Sequence, residues 1–138
     1  MATFPFELVS PERLVYSGAV TEVIVPGAEG EFGILAGHAP FVSTLKPGVL
    51  TIKGDGAARK LFVRGGFAEA NPQGLTVLAE TAIPLAELPA EKLAQMIRNA
   101  QEDVEDAGDE ATRASRQQFL EQLKSAAAAI EADSRSPH

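Results

Sequence analysis

The chain has 138 residues, of which 45% are hydrophobic, and it carries a formal net charge of −7 and no cysteine. That suffices for one packed domain plus a modest appendage, and it excludes disulfides, thiolate metal sites and a cysteine nucleophile. An acidic chain without a basic face has nothing to neutralise phosphates, so nucleic acid is disfavoured as a partner.

No run approaches the roughly 20 apolar residues of a membrane helix. Met1-Ala2-Thr3-Phe4-Pro5 lacks the basic-then-apolar order of a signal peptide. Any membrane association is therefore expected to be indirect, through a protein partner.

The first part of the chain has the rhythm of a β-domain. Apolar segments separated by Gly, Pro or Asn recur at Phe4–Val9, Val20–Val25, Phe41–Leu45, Val49–Ile52, Leu61–Val63 and Leu75–Ala79, as in a sandwich or barrel. Lys46-Pro47-Gly48 is a turn signal, because proline presets one turn position and glycine accepts positive φ. Lys53-Gly54-Asp55-Gly56 and Asn71-Pro72-Gln73-Gly74 each suit a hairpin, and Gly65-Gly66 marks a bend or a close backbone approach.

The period changes after Pro84. Pro89 suits the first turn of a helix and Glu91 complements its dipole. Leu93, Ile97, Ala100, Val104 and Ala107 then form one apolar stripe. Gly108 interrupts, Asp109 is a good N-cap, and Phe119, Leu120, Leu123, Ala127 and Ile130 form a second stripe. Two such helices joined by a short polar turn predict an antiparallel hairpin. Its stripes are narrow and alanine-rich, so it is expected to be the more mobile half. Ser134 to His138 reads as a frayed tail. The predicted fold is α+β, a β-domain over residues 1–86 and a helical hairpin over residues 87–138. Five of the seven net negative charges belong to the helical half.

Candidates for chemistry are few. Gly27-Ala28-Glu29-Gly30-Glu31-Phe32-Gly33 could cradle an anion through its backbone N–H groups. No Gly-Lys-Ser/Thr follows, however, and two glutamates would repel a phosphate, so a tight β connection is the better reading. His38 has only His138 as a companion, and a working base needs a group that orients it. Packing or partner contact suits it better. Glu102-Asp103 and Glu105-Asp106 flank Val104 and read as a solvated helix face. No catalytic residue, metal site or cofactor site is expected, and so no enzyme.

Several stretches together resemble the epsilon subunit of bacterial F-type ATP synthases, called delta in mitochondria. They are Val9-Ser10-Pro11-Glu12-Arg13 with Tyr16-Ser17-Gly18, the run from Gly27 through Pro40, Leu45-Lys46-Pro47-Gly48, and Gly65-Gly66-Phe67 with Leu75 through Ala82. The resemblance implies a flattened antiparallel β-sandwich of about ten strands followed by two helices. It implies a non-catalytic rotor subunit of the central stalk, peripheral on the cytoplasmic face of the bacterial inner membrane. Proton flow would turn the c-ring, and this chain would help the gamma subunit turn with it.

The resemblance also distributes roles. Glu29, Gly30, Glu31 and Phe32 match the loop that touches the c-ring. His38, Ala39, Pro40 and Phe41 match a segment near gamma. In many relatives the helical hairpin extends into the alpha/beta catalytic hexamer and inhibits hydrolysis, for which Arg113, Arg116 and Lys124 are the candidate contacts. Some relatives bind ATP through Ile/Leu-Asp-X-X-Arg-Ala at the helix start. This chain keeps Leu88 but has Pro89, Lys92 and Leu93 in place of Asp, Arg and Ala. Lysine lacks the planar fork of arginine, so weak or no ATP binding is expected. The alternative to a coupling subunit is a regulatory module, in which the hairpin serves as inhibitor or ATP sensor.

Overall fold

The computed structural model describes residues 2–135, with side chains through residue 133. The chain divides into two compact units, Met1–Leu85 and Ala86–His138. Eight strands form the first: β1 (Phe4–Val9), β2 (Leu14–Val20), β3 (Glu22–Gly27), β4 (Gly30–Ile34), β5 (Phe41–Thr44), β6 (Gly48–Lys53), β7 (Arg59–Asn71) and β8 (Gly74–Pro84). The strand order is β2-β1-β8-β7-β6-β3-β4, with β5 also paired to β7. All pairings are antiparallel except β1 with β8, which is parallel.

The long hairpin β7–β8 makes a sandwich out of this single sheet. Side chains alternate faces along a strand, so the buried set should keep one parity. On β7 it does not: Leu61 and Val63 are core residues before Gly65-Gly66, and Ala68 and Ala70 are core residues after it. On β8 the core set is Leu75, Val77 and Ala79, while Ala82 packs against the core at the other parity. The pairing register holds from Leu61↔Pro84 to Asn71↔Gly74. Both strands therefore pass from one layer to the other together. β6 pairs with the first half of β7, whereas β5 pairs with its second half and β1 with the first half of β8. One layer is β4-β3-β6 with the base of the hairpin. The other is β2-β1 and β5 with its tip.

Gly66 permits the crossing. Its φ is +102°, and a Cβ there would run into the Leu78 carbonyl, so only glycine fits without displacing the backbone. The single cluster enclosed by the two layers contains Phe4, Phe6, Leu8, Val23, Val25, Ile34, Leu50 and Ile52, among others. The described residues thus form eight strands, against the larger number implied by the resemblance, because the two long strands each serve both layers.

The second unit begins after a 3₁₀ turn at Leu85–Glu87 and consists of α1 (Ala90–Glu105) and α2 (Glu110–Arg135), which pack together. Pro89 sits one residue outside the first turn, as an N-cap with extended backbone and no side-chain cap bond. Asp109 caps α2 as expected. Its Oδ1 accepts the Thr112 N–H at 2.7 Å, and its Oδ2 accepts the Thr112 hydroxyl at 3.0 Å. These bonds to the charged form hold the Asp109 carboxyl below its ordinary value of 3.8, the Thr112 backbone bond contributing most. Leu93, Ala100 and Ala107 are buried on the first stripe. On the second, Leu120, Leu123 and Ala126 are buried, while Ala127 and Ile130 are half-buried. The frayed-tail expectation fails at Ser134 and Arg135, which continue α2; residues 136–138, with His138, lie outside the described residues.

Candidate functional site

The Gly27–Gly33 stretch is a tight hairpin. Gly27 pairs with Gly30, so only Ala28 and Glu29 form the turn between β3 and β4. Gly30 has φ +137°, a region that favours glycine. Glu29 and Glu31 are exposed and Phe32 is half-buried. The acidic tip is braced by the backbone beside it. Ala28 N–H donates to the Thr44 carbonyl at 2.9 Å, Lys46 N–H donates to the Pro26 carbonyl at 3.0 Å, and Gly27 bridges Leu45.

The connection from β4 to β5 carries the other candidate segment. Leu35, Ala36, Gly37, Ala39 and Pro40 are exposed, and the half-buried His38 sets its Nδ1 2.8 Å from the Ala39 carbonyl. The His38 and Phe41 rings lie 5.1 Å apart, and Phe41 meets Phe32 edge to face, also at 5.1 Å. Glu29–Phe32 and His38–Phe41 therefore form one corner of the sandwich. No orienting acid faces His38 among the described residues, and no group of three or more His, Asp or Glu is placed to hold a metal ion.

Positions in the helical unit are scattered along its length. Leu88 is half-buried, Pro89 and Lys92 are exposed, and Leu93 is buried. Arg98 pairs with Glu91 at 2.9 Å and with Gln95 at 2.7 Å. Arg116 donates to the Asp103 carbonyl at 2.7 Å, which ties the start of α2 to the end of α1 and confirms the antiparallel hairpin. Arg113 lies 3.9 Å from Glu110, and Lys124 is exposed. Glu102, Asp103, Glu105 and Asp106 are all exposed.

The sequence reading missed an apolar row on the outer face of the second layer, built from Leu14, Val9, Leu78 and Phe67. A signal was present. In Leu75-Thr76-Val77-Leu78-Ala79 the alternate residues Leu75, Val77 and Ala79 suffice for the core, which leaves Leu78 as an apolar residue at the outward parity.

Residues 3–85 match the family model for the ATP synthase delta/epsilon chain, β-sandwich domain. An ATP synthase epsilon chain of Parvibaculum lavamentivorans is 53% identical over 120 residues, 86% of this chain and 91% of that one. One from Mesorhizobium japonicum is 47% identical over 128 residues, 92% of this chain and 95% of that one.

The chain belongs to the ATP synthase delta/epsilon family.

A chain in the mitochondrial ATP synthase of Euglena gracilis, solved as an OSCP/F1/c-ring assembly, superposes on this epsilon-type chain with a TM-score of 0.71. It is 29% identical and covers 91% of this chain and 82% of its own. A chain of the Tetrahymena thermophila mitochondrial ATP synthase shares the fold at a TM-score of 0.68 and 13% identity, covering 91% of this chain and 97% of its own. The expectation of an ATP synthase subunit of the epsilon type is met at that level. No helix among the described residues is long and apolar enough to cross a membrane.

Proposed function

We propose that this epsilon-type chain is a mechanical coupler between the c-ring and the gamma subunit, working through the corner that joins its acidic turn to the His38 segment. It would lie peripherally on the cytoplasmic face of the bacterial inner membrane and meet the membrane only through the ring. A coupling part has to pass load between two partners without yielding. The edge-to-face contact of Phe32 with Phe41 carries this reading, because it ties the ring-facing Glu29–Phe32 hairpin to the gamma-facing His38–Phe41 segment. The backbone bonds from Ala28 to Thr44 and from Lys46 to Pro26 brace the same joint. Each is modest, but a short β-hairpin cross-braced by backbone bonds has few soft torsions left.

Glu29 and Glu31 suit basic or polar loop residues on the ring. Reversing both charges, Glu29→Lys with Glu31→Lys in the intact complex, is expected to lower proton pumping per ATP hydrolysed in membrane vesicles while hydrolysis continues. A pumping-to-hydrolysis ratio equal to that of the unaltered complex would refute the assignment.

The regulatory reading has one observation to weigh. Two of the three candidate inhibitory cations are already engaged within the hairpin, Arg116 with the Asp103 carbonyl and Arg113 with Glu110. The helix start also lacks the aspartate and arginine of the ATP-binding relatives, having Pro89 and Lys92 instead. Coupling is therefore the main role and inhibition through the alpha/beta hexamer the minor one. Deleting residues 88–138 is expected to raise ATP hydrolysis by the assembled complex only about twofold, the effect of losing roughly 0.4 kcal/mol of restraint. An activation of tenfold or so would make regulation the principal function.

A further inference from the structure

Of the seven Asn and Asp residues in the chain, six are held so that the side-chain carbonyl carbon is kept from the next backbone nitrogen. Asn71 precedes Pro72, which has no N–H, and its Oδ1 accepts the N–H groups of Gln73 and Gly74 at 2.9 and 3.0 Å. Asn99, Asp103 and Asp133 lie inside α1 or α2, where the following N–H is bonded along the helix. Ala107 N–H, next after Asp106, donates to the Val104 carbonyl at 3.3 Å. Both Asp109 oxygens are taken by Thr112.

Asp55 differs on every count. It is exposed, in the turn between β6 and β7. The next residue is Gly56, with φ +88° and open space where a Cβ would be. Among the described residues, no hydrogen bond or ion pair engages the Asp55 carboxylate or the Gly56 N–H. The strand pairing closes at Ile52↔Arg59, so the turn can change length without breaking the ladder.

We propose that Asp55-Gly56 is a site of spontaneous backbone isomerisation, and that the product is a substrate for repair by carboxyl methylation. The Gly56 nitrogen attacks Cγ of the protonated Asp55 carboxyl. The new N–C bond closes a five-membered imide, and the N–H proton and the carboxyl OH leave as water. Water then opens the ring at either carbonyl. When it breaks the bond between the Asp55 main-chain carbonyl and the nitrogen, the chain runs through Cβ and Cγ and is one methylene longer. The former main-chain carbonyl becomes a free carboxylate, the mass is unchanged, and nothing is oxidised or reduced. A methyltransferase can then move a methyl group from the sulfonium of S-adenosylmethionine to that carboxylate. The ester recloses to the imide with loss of methanol.

Glycine favours the site twice, because it leaves the nitrogen unobstructed and its backbone reaches conformations that other residues avoid. Exposed turn tips also open at little cost in free energy. The turn lies at the end of β6 away from Gly48 and the Pro26 brace of the coupling corner. An altered turn therefore leaves that corner in place, and the inference stands apart from the coupling function.

The test ages the full, folded chain in heavy-oxygen water and compares it with Asp55→Glu. After return to ordinary water, trypsin releases Gly54–Arg59 as one peptide. That peptide is expected to split into two species of equal mass, each carrying heavy oxygen. Its rate should be at least about tenfold above that of any other Asn- or Asp-containing peptide, since local hydrogen bonds hold the competing groups. Asp55→Glu should lose the second species, because its ring would need six members, and should keep the thermal midpoint. An isoaspartate-specific carboxyl methyltransferase supplied with S-adenosylmethionine should label the folded aged chain and leave the aged variant unlabelled.

Isomerisation at Asp106 or Asp109 as fast as at Asp55 would overturn the proposal. So would a second species that persists in Asp55→Glu, or one that forms only after unfolding in urea. An aged chain of established isomer content that accepts no methyl group would overturn the repair step.

Discussion

The sandwich buries Phe4, Phe6, Leu8, Ile34, Leu50 and a set of valines from both layers in one cluster, whereas among the described residues of the helical unit the buried ones are Leu93, Leu120, Leu123, Ala100, Ala107 and Ala126. The first unit holds together through large side chains brought from distant parts of the chain. The second depends more on devices a few residues long, the Asp109 cap and the Gln95–Arg98 and Gln117–Glu121 pairs, together with the Arg116 bond across the turn between the helices. The same chain thus combines a unit whose stiffness is non-local with one whose order is largely local, which suits a coupler with a helical appendage.

Three substitutions probe that contrast. The largest effect is expected for Phe6→Ala, because Phe6 has no exposed surface; the loss should be about 3–5 kcal/mol of sandwich stability by denaturant titration. A loss below about 1 kcal/mol would mean that the cluster does not hold the two layers together. Next comes Gly66→Ala, which places a Cβ against the Leu78 carbonyl at positive φ and should cost about 1–3 kcal/mol. Gly108→Ala is the internal control, since nothing lies within 4 Å of a Cβ there and its φ is ordinary. Equal effects at the two glycines would remove the strand-crossing argument.

The smallest effect is expected at Asp109, where amide exchange is the sensitive readout. Its carboxyl sits below the ordinary value of 3.8, chiefly through the Thr112 N–H bond. The charged form is therefore the one that favours the helix start. Its contribution is present above that pH and disappears as the pH falls through the lowered value. Protection in the first turn of α2 should drop on acidification in the unaltered chain. In Asp109→Ala it should already be low and change less. Identical acid profiles for the two chains would show that the cap contributes nothing.

Legibility in the sequence followed the same division. β1 was readable at Phe4–Val9 because it alternates cleanly, and both helices were readable from period and caps. β2 was not, because Leu14 faces outward and Gly18 inward, which erases alternation. β4 hid within a glycine-rich stretch that reads as a tight β connection, and of β7 only Leu61–Val63 was legible, because Gly65-Gly66 reads as a bend or a close backbone approach and not as the middle of a strand that reaches Asn71. The candidate corner was named as two separate segments. That Phe32 touches Phe41 could not be read from residues nine apart with a connection of unknown path.

Amino-acid order alone determined the family resemblance, the place where strand rhythm gives way to helix, the turn positions and the Asp109 cap, because each depends on residues close together in the chain. Only the tertiary structure decided that the β7–β8 hairpin crosses between layers at Gly66, that two candidate segments share one corner, and that an apolar row lies on an outer face. Those features depend on which strand lies beside which. That choice is made by packing around one core, where a change of side-chain parity on two paired strands turns a residue such as Leu78 outward.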